Sequence, residues 1–436
     1  MSWLFAAALC VGAAMIVATA LPLARRTAWW IRIFDFPRLQ ILFLAAGALA
    51  LFLAFREGSS AWQNAFAVLL SAAIAYQAYM MFPYTVLARR QVEDARNAGE
   101  GNGISLLFAN VLMTNRSSRE LLAIIREENP DVVLAVEADG WWLRELDVLA
   151  QTHPHAVRRP QDNTYGMLLY SRLELVEPEV KFLVQADVPS IHARVRLPDG
   201  ALIELRCLHP RPPAPQEAKA SRPRDVELLL VGRELKGKRA PAIVLGDLND
   251  VAWSRTNYRF QDLSGLLDPR IGRGFYHTFH ARYPFLRYPL DHCFHSRHFR
   301  LANFKRLRAF GSDHFPVAIG LSYEPDAAAT QEEPHDTPQA STRGNSSAAS
   351  RPADRYAGLE GRQPWQPGLR RHSSFQPRKS SRKRSRCRRA SATSRGCRTM
   401  PRGASPSCRA PRQCWCCSAS PAAPACSSSS PACAPG

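Results

Sequence analysis

The sequence predicts an α/β fold, a two-sheet sandwich preceded by three transmembrane helices and followed by a disordered tail. Three long apolar segments occupy the first 90 residues. Residues 103–323 alternate short apolar runs with amphipathic segments, and the apolar runs are the more numerous, which favours two mixed sheets over a doubly wound parallel sheet. Residues 326–436 lose hydrophobic periodicity and are rich in Ser, Pro, Ala and Arg, a composition typical of disorder.

The three apolar segments have the composition of membrane spans. They are predicted at about residues 2–23, 39–55 and 61–83. At 1.5 Å per residue the first and third are long enough to cross a hydrocarbon core of about 30 Å, and the second is somewhat short. A secretory signal peptide is the alternative for the first segment. That segment lacks a basic start, however, and two more apolar segments follow it closely.

Arginines in the short loops predict the orientation of these spans. Four arginines lie between the first and second spans and three follow the third, whereas the middle loop holds only Arg56 beside Glu57. An excess of arginine marks the cytoplasmic side of a membrane. The large domain is therefore predicted to be cytoplasmic, with an extracytoplasmic domain as the alternative.

Within residues 103–323, apolar runs predict strands and one-sided apolar patterns predict helices. The predicted strands are residues 104–109, 131–136, 166–170, 191–197, 202–208 and 243–245. The predicted helices are residues 119–128 and 224–236. The sequence Ser117-Ser118-Arg119-Glu120 predicts a capping box at the start of the first helix, and Asn129-Pro130 ends it.

The tail accounts for most of the basic charge. The formal net charge is +20, but sixteen Arg or Lys residues and no acidic residue follow Glu360, and the first 360 residues hold 41 basic and 37 acidic residues. Three cysteines are scattered through the main body, which therefore has no disulfide framework. The basic block at residues 378–389 is suited to nucleic acid or anionic lipid. The alternative is that this end results from a shifted reading frame in GC-rich DNA.

Polar side chains come next to the apolar runs of the domain, where strand ends aim such groups into a shared cleft. In chain order they are Asn110, Glu137, His209, Asp247, Asn249, Asp291, Asp313 and His314. Each alone has a structural explanation as a turn or surface residue, but their joint occurrence favours a catalytic site. Hydrolysis of a phosphate ester needs oxygen ligands for magnesium, a carboxylate that orients water, and donors to the phosphoryl oxygens. The set predicts such a hydrolase.

With these residues in this order, the domain resembles the endonuclease/exonuclease/phosphatase (DNase I-like) superfamily, and in particular its membrane-attached bacterial members. The resemblance implies a multi-pass protein of the bacterial inner membrane whose site lies at the top of the two sheets. It implies Mg²⁺ as the cofactor, with Mn²⁺ as a substitute. It also implies that Glu137 and Asn110 bind the metal, with assistance from Asp313.

The resemblance further implies how the other residues divide the chemistry. Asp247 would orient and deprotonate the attacking water, and Asn249 would hold the phosphate. His314 would donate to a phosphoryl oxygen, held in its tautomer by Asp291, and His209 would stabilise the transition state or leaving group. The proline-rich sequence after His209 departs from that of the soluble phosphatases, which leaves the substrate open.

The leading hypothesis is a membrane-anchored, Mg-dependent phosphoesterase that hydrolyses a phosphate ester or pyrophosphate. The anchor favours a phosphorylated lipid as substrate, because it raises the local concentration at the bilayer. A membrane-tethered endonuclease or exonuclease acting on nucleic acid is the alternative, although the domain is only mildly basic. A non-catalytic membrane scaffold with a basic tail is a third hypothesis. The lipid bilayer is a predicted partner, and no obligate protein partner is inferred.

Overall fold

The computed structural model describes residues 3–58, 60–96, 102–214, 217, 220–238, 240–332 and 334. Nearly all of the predicted tail, including the basic block at residues 378–389, lies outside these residues. The helices of the described part are α1 Trp3–Ala20, α2 Trp29–Arg32, α3 Arg38–Phe55, α4 Ala61–Met81, α5 Ser118–Glu128, α6 Gly140–Leu146, α7 Arg222–Leu235, α8 Arg255–Ser264 and α9 Ala327–Thr330. Short 3-10 helices lie at Leu21–Ala24, Ile33–Asp35, Phe82–Tyr84 and Asp147–Gln151.

Helices α1, α3 and α4 correspond to the three predicted spans. With their 3-10 extensions, the apolar segments run over Trp3–Ala24, Arg38–Phe55 and Ala61–Tyr84, each long and apolar enough to cross a membrane. They pack against one another through aromatic side chains. The Phe52 ring is buried between those of Phe5 and Phe66, with ring centroids 5.2 and 4.8 Å away. The prediction of three apolar helices is confirmed.

The domain is a sandwich of two mixed sheets, as predicted. Its strands are β1 Gly103–Asn110, β2 Val132–Val136, β3 His155–Arg159, β4 Met167–Ser171, β5 Leu175–Lys181, β6 Ser190–Arg196, β7 Leu202–Leu208, β8 Ala242–Asp247, β9 Asp291–His295, β10 Phe299–Arg306 and β11 Val317–Tyr323. One sheet has the order β10-β11-β1-β2-β4-β3 and the other β5-β6-β7-β8-β9. Only β1–β2 and β7–β8 are parallel among these pairs, and the rest are antiparallel.

Apolar side chains fill three layers. The central layer lies between the sheets and includes Leu106, Leu134, Leu205 and Leu245. Helices α5 and α6 cover the outer face of the first sheet, and α7 and α8 cover that of the second. Alternate strand residues point to opposite faces, so strands covered on both sides are apolar throughout. The five residues of β2 are accordingly all buried.

Two details of the sequence interpretation are wrong. The predicted capping box does not form, because the Ser117 side chain makes no bond to α5 and Ser118 Oγ instead donates to Glu145 Oε2 at 2.7 Å. In addition, Asp291 begins β9 instead of closing a strand, and His314 precedes β11 instead of ending the run before it. Both residues still reach the predicted edge, because the start of an antiparallel strand lies beside the end of its neighbour.

The domain packs directly on the ends of the apolar helices. We call the contact the junction cluster: its buried members are Met80, Met81, Tyr84, Val251, Ala252, Trp253, Tyr258 and Leu290. The Tyr84 hydroxyl donates to the Ala252 carbonyl at 2.8 Å, and Trp253 Nε1 donates to the Asp35 carbonyl at 2.7 Å. Loop 248–254 therefore follows one edge of the sandwich and also forms the floor on which the helices rest.

Candidate active site

The chain direction brings six of the predicted residues to one edge of the sandwich. Asn110 ends β1, Glu137 follows β2 and His209 follows β7. In the second sheet, Asp247 at the end of β8 pairs in register with Asp291 at the start of β9. In the first sheet, β11 runs antiparallel to β1, which brings the segment before it, with His314, beside the end of β1.

Two backbone positions at this edge are strained or close-packed. Glu137 has a positive φ of 60°, a conformation that costs a residue other than glycine about 1–3 kcal/mol. Strain of this kind persists where the surrounding structure fixes a functional side chain. At Gly246, just before Asp247, φ is 149° and a Cβ atom would lie 1.9 Å from the Leu208 carbonyl oxygen. Only glycine lets β8 approach β7 so closely at this point.

Asn110 joins the two carboxylates of the site. Its Nδ2 donates to Glu137 Oε1 at 2.8 Å and to Asp247 Oδ2 at 3.1 Å. Burial raises the pKa of Glu137 to about 7, and burial also raises the pKa of Asp247. Each carboxylate is thus a stronger base than in water, and the Asp247 side chain is almost fully buried. Together these groups form an acidic pocket that favours a bound cation.

The two histidines both lie close to the Asp247 carboxylate. His209 Nε2 lies 3.8 Å and His314 Nε2 3.7 Å from Asp247 Oδ2. His209 Nε2 is also 4.0 Å from Glu137 Oε1. These separations exceed hydrogen-bond lengths. The side chains therefore line an opening instead of closing it.

His209 and His314 differ in charge at neutral pH. Burial lowers the pKa of His209 to about 4, so its imidazole is neutral. Burial would also lower the pKa of His314, but the carboxylates of Asp291 and Asp247 outweigh it and raise the pKa to about 10. Asp291 Oδ2 accepts the hydrogen bond of His314 Nδ1 at 2.9 Å. The charged His314 therefore presents its Nε2–H to the opening, and His209 presents an uncharged ring.

Asn249 and Asp313 lie at the rim of this group. Asn249 has a φ of 51°, its backbone N donates to Asp247 Oδ1 at 2.8 Å, and its Nδ2 donates to the Pro210 carbonyl at 3.0 Å. Asp313 accepts from Ser312 Oγ at 3.4 Å. Its negative charge acts on both Glu137 and His314. Asn249 thus fixes the Asp247 carboxylate, and Asp313 adds negative charge.

The donor set fits a divalent cation. Among the described residues, two groups have ligand atoms within 4.8 Å of one another: Glu137, His209 and Asp247, and Asp247, Asp291 and His314. The first group, with its two carboxylates, suits a hard cation such as Mg²⁺ better than the second, in which His314 is protonated. Asn110 presents its amide nitrogen to the carboxylates, while its oxygen accepts from Leu112 N at 3.0 Å. To bind a cation through its oxygen, Asn110 would have to rotate its amide.

Three neighbours support the site and were not assigned roles from the sequence. The Tyr165 ring packs against His209 with ring centroids 5.4 Å apart, and its hydroxyl donates to Glu217 Oε2 at 2.8 Å. Ser312 Oγ donates to the Asn110 carbonyl at 2.8 Å, and Phe279 packs 5.0 Å from the His314 ring. In the sequence, Tyr165 could have been found because Tyr165-Gly166-Met167 leads into a predicted strand, and Ser312 because it precedes the Asp-His pair. No sequence pattern pointed to Phe279.

The comparisons with known proteins agree with the fold. Residues 107–314 match the model of the endonuclease/exonuclease/phosphatase family. No curated protein matches the chain in sequence. The chain is similar in structure to an endonuclease/exonuclease/phosphatase from Beutenbergia cavernae DSM 12333, at 17% identity over 51% of this chain and 72% of that chain, with a TM-score of 0.42.

Two further structures are similar over about the same part of the chain. One is D. rerio TDP2 complexed with a single-strand DNA product, at 16% identity over 50% of this chain and 99% of that chain, with a TM-score of 0.42. The other is the human Nocturnin catalytic domain with a bound sulfate anion, at 16% identity over 51% and 94%, with a TM-score of 0.42. On the family match, the domain at residues 107–314 belongs to the endonuclease/exonuclease/phosphatase family, whose members are metal-dependent phosphoesterases and nucleases.

Proposed function

We propose that this protein is a membrane-anchored, Mg-dependent phosphoesterase that hydrolyses a phosphate ester or pyrophosphate of a lipid. The observation that carries the proposal is the position of the site relative to the membrane helices. Asp247 and Asn249 are followed directly by loop residues that pack in the junction cluster against Met80 and Tyr84. Such a site works next to the bilayer surface, where a lipid phosphate lies.

The side chains divide the reaction among them. Asp247 takes a proton from the attacking water, the new P–O bond forms, and the bond to the leaving oxygen breaks. His314 donates a hydrogen bond to a phosphoryl oxygen through Nε2, and neutral His209 stabilises the leaving group. Glu137 and Asn110 would hold the cation with assistance from Asp313, and Asn249 would hold the phosphate. When bound, the cation supplies positive charge to the phosphoryl oxygens.

A cytoplasmic, bacterial inner-membrane location is part of the proposal. The loop between α1 and α3 and the segment after α4 lie at the same end of the helices as the domain, since both contact it through Asp35 and Tyr84. These two segments hold the excess of arginine over the loop between α3 and α4. The positive-inside rule then assigns the domain to the cytoplasm.

The ion pairs of the domain's arginines give less support to the nuclease alternative. A nuclease would need arginines that track the nucleic-acid backbone. Four arginines of the second sheet and its flanking segments are instead engaged in ion pairs with carboxylates: Arg194 with Glu177, Arg206 with Glu204, Arg211 with Asp187, and Arg224 with Asp250. The paired carboxylates reduce the net positive charge that these arginines offer to phosphate.

The test is phosphate or nucleotide release by the full chain in lipid nanodiscs, with and without Mg²⁺. The panel contains plasmid DNA, a phospholipid and an isoprenoid pyrophosphate. We expect Mg-dependent turnover of one lipid, lost by at least 1,000-fold in Asp247→Asn, because the base is removed. Glu137→Gln should raise the Mg²⁺ concentration that is required.

The matched control is Asp147→Asn, a half-exposed carboxylate on the 3-10 helix after α6. It should keep full activity. Plasmid nicking without lipid turnover would replace the proposal with the nuclease, and full activity of both site variants would reject the site.

A further inference from the structure

A hairpin beside the site carries a cluster of exposed apolar side chains. We call residues 279–288 the tip hairpin. Phe279 and Tyr288 pair at its base, and His280 N donates to the Leu286 carbonyl at 3.1 Å. At its turn, Phe285 is 86% exposed, Tyr283 56% and Leu286 51%. Five consecutive residues, 282–286, are exposed, and three of them are large and apolar. A cluster of this kind marks an interaction surface.

The tip hairpin is continuous with the lipid-facing side of α3. Gln40, in the first turn of α3, donates through Nε2 to the Phe285 carbonyl at 2.7 Å. Phe43 and Leu44 follow three and four residues later, so they lie on the same helix face as Gln40, and they are 71% and 52% exposed. The turn of the hairpin therefore lies at the depth where the apolar part of α3 begins.

The same hairpin is joined to the site. Ala281 N donates to the Asp313 carbonyl at 2.7 Å, and Phe279 bridges to His314. Arg282 Nη2 donates to the Gly311 carbonyl at 3.3 Å. Asp313 is thus hydrogen-bonded to the tip hairpin, and His314 lies in a β-bridge with its base, while the other end of the hairpin lies at α3.

The chemistry of the turn matches the headgroup region of a bilayer. Tyr and Phe side chains favour that region, and arginine side chains keep their charge at the anionic headgroups while their stems lie along apolar surface. Arg282 and Arg287 flank Tyr283, Phe285 and Leu286 in sequence. Their guanidinium groups donate to the Gly311 and Ala281 carbonyls, so the three exposed side chains carry the match. A protein partner would require a groove or patch facing away from the spans, whereas this patch adjoins α3.

We propose that the tip hairpin inserts Tyr283, Phe285 and Leu286 into the headgroup region around α3, and that it admits the phosphate of a bilayer-embedded lipid to the site. The insertion depends on the helices spanning the membrane, and the admission of substrate rests on the proposed function. The substrate is then a lipid that stays in the bilayer during hydrolysis, which excludes a soluble phosphate ester as the preferred substrate.

Insertion is tested by photolabelling. A photoreactive phenylalanine, p-azidophenylalanine, is introduced at position 285 of the full chain in nanodiscs, and in a separate protein at position 148. Val148 is a fair control because it is an apolar side chain, 49% exposed, on the 3-10 helix after α6. We expect a lipid adduct, detected by mass spectrometry, at position 285 and none at position 148. No adduct at 285, or equal adducts at both, would overturn insertion.

Substrate admission is tested by kinetics with the double variant Phe285→Ser, Leu286→Ser and the control Val148→Ser. Each is assayed on undecaprenyl pyrophosphate in nanodiscs and on its short, water-soluble homologue farnesyl pyrophosphate. We expect the double variant to lose about 10-fold in kcat/KM on the long-chain lipid and to retain its rate on the short one. Equal losses on both would overturn the admission of substrate by the hairpin.

The two experiments separate this inference from the proposed function. If the wild-type protein hydrolyses neither pyrophosphate, isoprenoid pyrophosphates are rejected as substrates, and the proposed admission of substrate by the hairpin is rejected with them. The photolabelling result would still decide whether the hairpin enters the bilayer. Because both substituted side chains are exposed and Phe285 contacts α3 through its backbone, the double variant is expected to fold.

Discussion

The carboxylate of Asp291 determines the charge of His314. Burial alone would lower the pKa of His314, and Asp291 is the first of the charges that raise it to about 10. In Asp291→Asn we expect kcat/KM at pH 7 to fall roughly 100-fold, a typical effect for a positioned proton donor. The rate should also fall at a lower pH than in the wild type, because the variant's His314 loses its proton earlier as the pH rises.

The measurement is the pH–rate profile of kcat/KM on whichever lipid the panel identifies. Asp291→Glu keeps the charge and is the control, since it should hold the descending limb near its wild-type pH. An Asp291→Asn profile that is lower in height but unshifted in pH would show that Asp291 does not act through the proton of His314.

Residue type and order predicted which side chains meet at this edge, but not their electrostatics. Asn110 bonds to both Glu137 and Asp247, as the strand pattern implied. The different charges of His209 and His314 depend on which histidine has a carboxylate at hydrogen-bond distance, and Asp291 is separated from His314 by 23 residues of chain. Such distances are set by tertiary packing, which a single sequence does not display.

At the scale of elements, helix α7 carries a buried carboxyl group without a charged partner. Burial raises the pKa of Glu227 to about 8, and its Oε1 has no hydrogen-bond partner among the described residues. The unfolded chain ionises near pH 4.5 and the folded one near 8, so stability falls as the pH rises through that window. We expect Glu227→Gln to be more stable than the wild type at pH 9 by on the order of a few kcal/mol, and nearly equal at pH 5.

Thermal unfolding of the two proteins in the same detergent, from pH 5 to 9, measures this difference. Glu234 on the same helix is the matched control of opposite sign. Burial alone would raise its pKa, but the bond from Arg206 lowers it below the usual range, so Glu234→Gln should destabilise at neutral pH. If the difference in melting temperature between wild type and Glu227→Gln stayed constant from pH 5 to 9, the raised pKa of Glu227 would be contradicted.

Strands in the interior of the two sheets were the most predictable. The interpretation of the sequence identified β1, β2, β4, β6, β7 and β8. It missed all four edge strands, β3, β5, β9 and β10, of which β5 contains Pro178. Strand β11 was missed because the apolar run before the Asp-His pair was taken for the strand. A pattern of apolar residues does not reveal whether the strand precedes or follows the Asp-His pair in the sequence.

At the scale of the whole molecule, the domain continues past residue 326. Helix α9 carries the chain to Gln331, which is 4% exposed. Its Nε2 donates to the carbonyls of Arg297 and Phe299 at 2.8 and 2.9 Å, and its Oε1 accepts from Glu93 N at 2.8 Å. Ending the chain after Asp326 should therefore cost about 1–3 kcal/mol, because buried backbone groups lose their partners.

A chain that ends after Pro334 is the matched control and should unfold like the full chain. Comparing the urea midpoints of the two truncated proteins tests the contribution of Gln331. Activity of the longer truncation also separates the hydrolase from the scaffold hypothesis. Full turnover and membrane attachment without residues 335–436 would exclude a function centred on the tail, whereas loss of both would favour it.

The junction cluster could not be predicted, because it joins Tyr84 to a loop 168 residues further along the chain. It places the apolar side chains of Val251 and Trp253 on the ends of the apolar helices, immediately after Asp247 and Asn249. The strand β1 has a neighbour close in sequence, β2, and gains its second neighbour only when Ser322 of β11 reaches Gly103.

Loop 248–254 thus couples the two parts of the molecule. It begins beside Asp247 and Asn249, and its apolar side chains pack against Met80 and Tyr84, so a substitution that loosens this contact is expected to disturb the site as well.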